Sequence, residues 1–465
     1  MSSKSSSLER RPTSHDLYGI TEAQLRKGKP LLGALPYFRP DPIKFMMALS
    51  RFGDVTETRF GPYKIFLVNN VQGIKHILHT NNKNYLKSPF LDPVKLVLGE
   101  GLLTSEGSKW AKDRRIIHQS FQKGNFTLYG EWIAELTRET MEAWAPVVES
   151  GEEVDVSRDM MSLTFSVICK SLFSTVNREF VEIVERAIPV LLRFVEYSNN
   201  TIVKPPLAVP TKRHRQFKEA MTQMQEISRK IILEHQANPG KYTDLLSLLL
   251  ETKDPETGEK LSLKDIEDHV ITMVLAGHET TAICMTWTWF MVGKEPEVRR
   301  RLHEEVDRVL GPGELATAAH LPQLRYATQV IQESMRLYPP AWEFDRIAVS
   351  DDVVLAQKIP KGSVVMMCPY LIHRDPRYWK DPLAVRPERF AEENQDAVVP
   401  YSYFPFGAGP RACIGKNFAM MEAVLILANI ARRFDLEVSP FPEPERETLM
   451  TMRPRNGVLV RIRKR

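Results

Sequence analysis

The chain has 465 residues, of which 43% are apolar and 9% aromatic, enough to bury a large core as one domain or two closely packed lobes. Its formal net charge of +5 is small for this length, and no basic tract is interleaved with aromatic residues, so the sequence argues against nucleic-acid binding. Three of its four cysteines lie in apolar runs, and no pair has C-x-x-C spacing, so we expect reduced thiols in a cytoplasmic protein.

The first segment is polar and rich in serine, without the apolar stretch that a signal peptide or membrane anchor requires. We predict a disordered tail over residues 1–28 and a single folded domain over 29–465. The serine and arginine content of the tail also leaves an organellar transit peptide open. The longest apolar run, Val270 to Val292, carries His278 and Glu279 near its middle, which favours a buried core helix over a membrane span.

Periodicity predicts a mainly α fold with small β-sheets. Alternating residues predict a β-hairpin over 55–60 and 63–68 and short strands over 353–355, 363–367 and 458–462. The predicted helices cover 132–144, 160–172, 180–197, 214–235, 263–292, 296–310 and 324–337. Between two of them, the proline-containing segment 201–211 is either a mobile lid or an ordinary surface connection.

Two helical segments carry polar residues at suggestive spacings. Trp110 and Arg114 are four residues apart and therefore share one helix face. The long apolar helix contains Ala276-Gly277-His278-Glu279-Thr280, where small residues precede an acid and an alcohol. Thr280 can act on a ligand, or it can bond the carbonyl one turn back, as threonines in apolar helices often do. A zinc-protease HExxH pattern fails because Ala282 stands where the second histidine is needed.

Further along the chain, Glu333 and Arg336 lie three apart on a helix, so that their side chains can meet. Taken alone, such a pair is usually a solvated surface feature. It is followed by Arg386-Pro387-Glu388-Arg389-Phe390, which supplies a second basic residue.

The most informative segment runs from Phe404 to Gly415, where Cys413 precedes a long apolar helical run. A cysteine at the positive end of a helix favours the thiolate. Three nearby glycines allow tight turns that aim backbone N–H groups at the sulfur, and a thiolate held in this way can ligate iron. The alternative is a turn whose cysteine is a small buried apolar residue.

This loop resembles the haem-binding loop of the cytochrome P450 family, whose pattern Phe-Gly-x-Gly-x-Arg-x-Cys-x-Gly is filled from Phe406 to Gly415. The other segments resemble, in the family's order, its Trp-x-x-x-Arg, Ala-Gly-x-(Asp/Glu)-Thr, Glu-x-x-Arg and Pro-x-Arg-Phe motifs. The resemblance runs from about Lys29 to the end of the chain. It implies the cytochrome P450 fold, with haem b between a long central helix and the cysteine loop.

The resemblance also implies residue roles. Cys413 is expected to be the axial ligand of the haem iron. Thr280 and Glu279 are expected to donate a hydrogen bond and protons during oxygen activation. A buried network behind the haem is expected from Glu333, Arg336 and Arg389. The expected cofactor contacts are Arg411, Arg346, Arg114 and Trp110 at the propionates, with Phe406, Gly407, Ala276 and Gly277 against the ring.

The implied function is a monooxygenase that activates O2 to hydroxylate or epoxidise a mostly apolar small molecule. Because no Gly-rich dinucleotide motif follows the loop, electrons are expected from a ferredoxin or flavodoxin with its NAD(P)H-dependent reductase, acting on a monomer. Two alternatives stay open: a haem-thiolate isomerase, dehydratase or peroxygenase that needs no electron donor, and a non-catalytic haem-binding sensor. The basic residues that suit an acidic redox partner are Lys109, Lys112, Arg115 and Lys416.

We predict a largely apolar substrate pocket from Phe90, Leu91, Met273, Glu343 and Met450. Glu343 departs from the family pattern, which places apolar residues there. If its side chain points inward, it needs a cationic or hydrogen-bonding partner, such as a basic amine or a polyhydroxylated substrate. If it points outward, it is a solvated surface residue, and the sequence leaves both possibilities open.

Overall fold

The structure is a computed structural model that describes residues 19–123, 125–174, 178–201, 205–439 and 443–465. The helices of this part of the chain are α1 (Glu22–Arg26), α2 (Leu35–Phe38), α3 (Pro42–Leu49), α4 (Val71–Lys75), α5 (Asp92–Leu98), α6 (Gly107–Lys123), α7 (Phe126–Ala143), α8 (Ala145–Ser150), α9 (Val156–Phe173), α10 (Arg178–Asn200), α11 (Lys212–Ala237), α12 (Leu245–Glu251), α13 (Leu263–Lys294), α14 (Pro296–Val309), α15 (Arg325–Leu337), α16 (Pro369–Ile372) and α17 (Lys416–Arg433).

The strands are β1 (Val55–Phe60), β2 (Tyr63–Val68), β3 (Tyr85–Leu86), β4 (Glu153–Asp155), β5 (Phe344–Ala348), β6 (Asp352–Val354), β7 (Gln357–Ile359), β8 (Val364–Met367), β9 (Phe434–Val438), β10 (Arg446–Thr448), β11 (Met452–Pro454) and β12 (Leu459–Lys464). The predicted mainly α fold with small sheets is confirmed, and each predicted helix lies within or close to an observed one.

The long helix α13 is the central element. It begins at a capping box in which the Ser262 hydroxyl accepts from the Asp265 amide and the Asp265 carboxylate accepts from the Ser262 amide. Every residue from 281 to 292 is buried, and the helix packs along α9, α15 and α17. Its apolar length therefore belongs to a protein core. In the described residues, no helix combines the length and apolarity that crossing a membrane requires.

The largest sheet has the strand order β1-β2-β8-β5-β3, in which β2 and β8 are parallel and the other neighbours antiparallel. Alternate residues of β2 enter two different apolar clusters, Ile65 and Leu67 on one face and Phe66 and Val68 on the other. The apolar cluster on the face with Ile65 is here called the sheet core, and the larger apolar cluster among the helices is called the helical core. Tyr338 packs against both clusters.

The predicted disordered tail is wrong for residues 19–28. Thr21 and Gln24 form a capping box that starts α1, and Leu25 of this helix is only 2% exposed in the sheet core. The Thr58 hydroxyl donates to the Leu25 carbonyl. The buried Leu25 side chain and the Thr21 capping box thus order a segment for which the composition predicted a disordered tail. Residues 1–18, and residues 202–204 of the predicted lid, lie outside the described residues, and those parts stay predictions.

The structure brings Glu333, Arg336 and Arg389 together. The Arg336 guanidinium donates to both oxygens of Glu333 at 2.7 Å, and both side chains are fully buried. Arg389 Nε lies 3.5 Å from Glu333 Oε1, and the Arg386 amide donates to the same oxygen at 2.8 Å. Arg336 also donates to the His373 carbonyl, which ties α15 to the segment after α16. The predicted network is therefore a buried polar joint between α15 and the chain that leads to the cysteine loop.

We expect Glu333→Ala to lower the free energy of unfolding by about 3–5 kcal/mol, because it leaves two buried guanidinium groups without their carboxylate. Urea unfolding followed by circular dichroism measures the loss. Glu297→Ala is the matched control, since Glu297 pairs with Arg300 at the solvent-exposed surface of α14. Equal urea midpoints for the two variants would contradict a structural role for the network.

Candidate active site

The cysteine loop is fixed by two backbone hydrogen bonds, from the Cys413 amide to the Phe406 carbonyl at 2.8 Å and from the Gly407 amide to the Phe404 carbonyl at 2.9 Å. Gly407 has a φ of +68°, in the left-handed region. Gly409 has a φ of +69°, and a Cβ there would lie 1.9 Å from the Leu78 carbonyl oxygen. The glycines therefore shape the loop and let it approach the segment after α4.

Cys413 is exposed, yet burial within the protein raises the pKa of its thiol. A side chain that is both accessible and surrounded by protein faces the inside of the fold. The Gly415 amide and the charges of Arg114 and Lys416 lower the pKa but do not offset burial. The expected thiolate at the helix end stays a prediction, and a bound metal ion would add a further positive charge that favours it.

On α13, Ala276 is exposed and residues 275 and 277–280 are half-buried, although residues 281–292 of the same helix are buried, so this stretch faces a space inside the fold. The Thr280 hydroxyl donates to the Ala276 carbonyl at 2.7 Å, which is the local hydrogen bond that the sequence left as the alternative. A Cβ on Gly277 would lie 3.0 Å from Ile168 Cδ1, so this glycine allows close packing of α13 on α9, and its contact with the ring stays a prediction.

Glu279 is held by the turn between β10 and β11. The Thr451 hydroxyl donates to Glu279 Oε1 at 3.0 Å, and Arg453 Nη1 lies 3.9 Å from the same oxygen. Burial raises the pKa of Glu279, while Thr451 and Arg453 partly lower it. This carboxyl therefore keeps its proton to a higher pH than a solvated glutamate does.

Three of the predicted cofactor contacts come together near Cys413. The Trp110 ring lies between two guanidinium groups, with its centroid 4.5 Å from Arg411 Cζ and 5.7 Å from Arg114 Cζ. Arg114 Nη2 donates to the Ala412 carbonyl at 2.8 Å. Arg411 Nη2 contacts the carboxylate of Glu106, but its Nη1 is buried without a hydrogen-bond partner. An unpartnered buried guanidinium nitrogen indicates an anionic ligand.

Arg346 and Lys87 extend this group of cations, which we call the cationic cluster: Arg114, Arg346, Arg411 and Lys87. Arg346 lies on β5 and is largely buried, which lowers its pKa. Lys87 was not predicted. Its Nζ donates to the carbonyls of Leu102 and Ser105, and burial, together with the charge of Arg411, lowers its pKa to about 7. A single lysine after a short strand has no distinctive sequence pattern, and only the fold places it beside three arginines.

Comparison with known proteins agrees with this site. The family model for cytochrome P450 matches residues 24–461. The chain belongs to the cytochrome P450 family. Among its relatives are two proteins of Streptomyces melanosporofaciens, cyclooctatin synthase (33% identity, 89% of each chain) and cyclooctat-9-en-7-ol 5-monooxygenase (31%, 88% of each). The crystal structure of the cytochrome P450DA heme domain superposes with a TM-score of 0.85 at 26% identity, over 94% of this chain and 96% of that one.

This cytochrome P450 is a haem monooxygenase, and its site residues fit the cofactor. Haem carries two carboxylates, and the cationic cluster offers buried positive charge that includes the unpartnered Arg411 Nη1. Cys413 offers a sulfur ligand from inside the fold. In the described residues, no group of three or more His, Cys, Asp or Glu side chains could hold a metal ion.

The predicted pocket residues lie on different structural elements and pack against different apolar clusters. Phe90 packs against Tyr63 and the sheet core, whereas its neighbour Leu91 packs against the helical core, as does Met273 on α13. Met450 lies in the turn between β10 and β11 and is 46% exposed. Glu343 precedes β5, and its Oε1 is buried without a hydrogen-bond partner, so the outward, solvated alternative is wrong.

The predicted basic face for a redox partner is largely neutralised within the chain. Lys109 contacts Asp113 and Asp265, Lys112 lies 3.0 Å from Glu259, and Arg115 pairs with Asp254 at 2.7 Å. These pairs join α6 to the segments before and at the start of α13. Lys416, at the first position of α17, is the exposed member of the predicted set.

We expect Lys87→Met to speed haem loss, because it removes one of the cations that face the cofactor's carboxylates. The Lys87 pKa is about 7 without haem, and two carboxylates raise it. Below pH 7 the ammonium is present in both states, and its contribution to haem binding is complete. As pH rises toward the higher pKa of the haem-bound state, that contribution is lost.

The measurement is the rate of haem transfer to excess apomyoglobin. The variant should lose haem about tenfold faster than the original protein at about pH 6, and the ratio should shrink toward about pH 9. Lys112→Met is the control, since Lys112 pairs with Glu259 on the outer side of α6. A ratio that does not change with pH would contradict a titrating Lys87 at the cofactor.

Proposed function

We propose that this cytochrome P450 hydroxylates or epoxidises a terpenoid with a mostly apolar skeleton, using O2 and electrons from a separate redox partner. The observation that carries the proposal is the pairing of an inward-facing Cys413 with a Glu279–Thr280 pair on α13. Support for the substrate class comes from the relatives, whose names give a cyclooctatin synthase and a monooxygenase of the alcohol cyclooctat-9-en-7-ol.

When bound, haem would supply the redox-active iron for oxygen chemistry, and Cys413 would hold that iron through its sulfur. The Gly415 amide, Arg114 and Lys416 would stabilise the negative sulfur. The cationic cluster would bind the two haem carboxylates and so orient the ring. Phe406 and Gly407 would contact the ring from the cysteine loop, and Ala276 would leave room for it beside α13.

Protons for the reaction come from Glu279 through a water molecule that Thr280 holds. The Thr280 hydroxyl has one donor and two acceptor sites, and its hydrogen bond to the Ala276 carbonyl occupies the donor. Its oxygen can therefore accept a hydrogen bond from a water molecule, and this water can take the proton of Glu279 and pass it on. Burial keeps Glu279 protonated to a higher pH than a solvated glutamate.

The electron donor in this proposal is a ferredoxin or flavodoxin with its NAD(P)H-dependent reductase, and the enzyme acts as a cytoplasmic monomer with one catalytic domain. Because α1 packs into the sheet core, we infer that the domain begins before residue 29. Lys416 is the basic residue nearest the cysteine that is free to meet an acidic partner, and the paired cations on α6 have a smaller part than the sequence suggested.

The decisive experiment supplies the haem-loaded protein with NADPH, a ferredoxin, its reductase, O2 and a panel of terpenes. A monooxygenase converts substrate with one oxygen atom from 18O2 in the product and consumes NADPH in step. Cys413→Ser is the matched variant, and it should lose the strongly red-shifted absorption of the reduced carbon monoxide complex. Product formed from peroxide alone, with none from the reductase system, would overturn the proposal in favour of a peroxygenase. Binding without turnover would favour the sensor.

We expect Thr451→Val to uncouple NADPH consumption from product formation by several-fold, because Glu279 loses the hydrogen bond that holds it. Since that bond lowers the Glu279 pKa and Glu279 acts in its protonated form, its removal should also move the alkaline limb of the rate–pH profile upward. Peroxide release and the pH profile are measured together. Thr451→Ser should restore both, and Thr448→Val on the same hairpin is the control. Unchanged coupling and an unchanged profile would show that Thr451 does not position Glu279.

A further inference from the structure

Two carboxyl groups beside the pocket have no part in the proposed function. Glu343 directly precedes β5 and Asp345 lies within it, so the two side chains, two residues apart on an extended segment, point to the same side. Asp345 interacts with the Ser88 hydroxyl, and Ser88 caps the short turn that carries Phe90 and Leu91. The two carboxyls therefore face the predicted pocket wall, where the sheet core and the helical core meet.

Glu343 lacks the partners that a buried carboxyl needs. Its Oε1 is buried and finds no hydrogen-bond partner. The nearby Arg346 donates its hydrogen bond to the backbone carbonyl of Asp345 at 2.5 Å and acts on Glu343 only through its charge. A buried polar group without a partner is unfavourable, so a ligand that supplies the missing hydrogen bond binds more tightly.

The surroundings favour a neutral partner. A substrate ammonium group would lose its hydration in this buried place and would need a carboxylate anion to pair with. Burial and the neighbouring Asp345 both raise the pKa of Glu343, which keeps it a neutral acid. A protonated carboxyl has one O–H donor and one carbonyl acceptor, the complement of a hydroxyl group. Of the two ligands left open by the sequence, the basic amine is disfavoured and the hydroxylated compound is favoured.

We propose that Glu343, positioned by Asp345, binds an oxygen atom that the substrate already carries, so that the enzyme acts on a terpenoid alcohol and not on its parent hydrocarbon. The inference rests on the proposed function and specifies its substrate class. It also places this reaction after another one in a series of reactions. An earlier step, either a hydroxylation or a cyclisation that ends with capture of water, must supply the alcohol that this enzyme oxidises at a second position.

The test is an absorbance titration of the haem-loaded protein with cedrol and sclareol, each compared with its hydrocarbon parent. The alcohols should bind about tenfold more tightly than the hydrocarbons, as expected for one buried hydrogen bond. Glu343→Leu should abolish this preference by weakening alcohol binding, with hydrocarbon binding unchanged or stronger. Glu343→Gln, which keeps a neutral donor and acceptor, should retain most of it. Glu393→Leu, at an exposed position, is the control.

A trimethylammonium analogue of the same skeleton tests the charged alternative. If it binds more tightly than the alcohol and Glu343→Gln removes that binding, Glu343 is a carboxylate that recognises a cation, and the proposal is overturned. It is overturned as well if no alcohol binds more tightly than its hydrocarbon. If Glu343→Leu does not fold, the original protein and Glu343→Gln still decide the question. Failure of the proposed function is distinguishable, because it appears as an abnormal carbon monoxide spectrum or as absent turnover in the original protein.

Discussion

The inward-facing thiol of Cys413 is the group on which the rest of the structure depends. The surrounding protein raises its pKa, which opposes the negative charge of a thiolate. The Gly415 amide, Arg114 and Lys416 act in the opposite direction and favour that charge. The loop holds the sulfur in a fixed place, and the positive charge of a bound metal would favour the thiolate further, which would couple cofactor binding to ionisation of the ligand.

Burial also opposes the positive charges of the cationic cluster, and so lowers pKa values there. Arg346 and Lys87 are largely buried, and the charge of Arg411 destabilises the charged form of both by repulsion. Without an anion, the cluster is a local source of instability that the surrounding fold must sustain. With the two carboxylates of haem, repulsion becomes attraction. The fold thus contains an excess of positive charge that the cofactor's carboxylates would neutralise. The buried network of Glu333, Arg336 and Arg389 joins α15 to the chain that leads to the cysteine loop.

The sequence was most informative where function depends on a short, contiguous pattern. The loop around Cys413 and the helix with Glu333 and Arg336 could be predicted because fixed spacing sets their local geometry. Lys87 could not, because its role depends on which buried charges surround it. The close approach of Gly277 to Ile168 on α9 could not be predicted, since a sequence does not state which helix packs against each side of a central helix. The tail prediction failed at α1 because composition does not register a single buried residue such as Leu25.

Glu279 and Glu343 are two buried carboxyls to which we assign different roles, a proton source and a substrate-binding group. Both have raised pKa values because of desolvation. Glu279 retains contacts with Thr451 and Arg453, which limit the rise and leave an acid that can release its proton during turnover. Glu343 has only the like-charged Asp345 and the nearby charge of Arg346, and its Oε1 has no hydrogen-bond partner, so in our proposal it keeps its proton and donates a hydrogen bond. The difference in partners, and not the difference in depth, separates a proton source from a substrate-binding group.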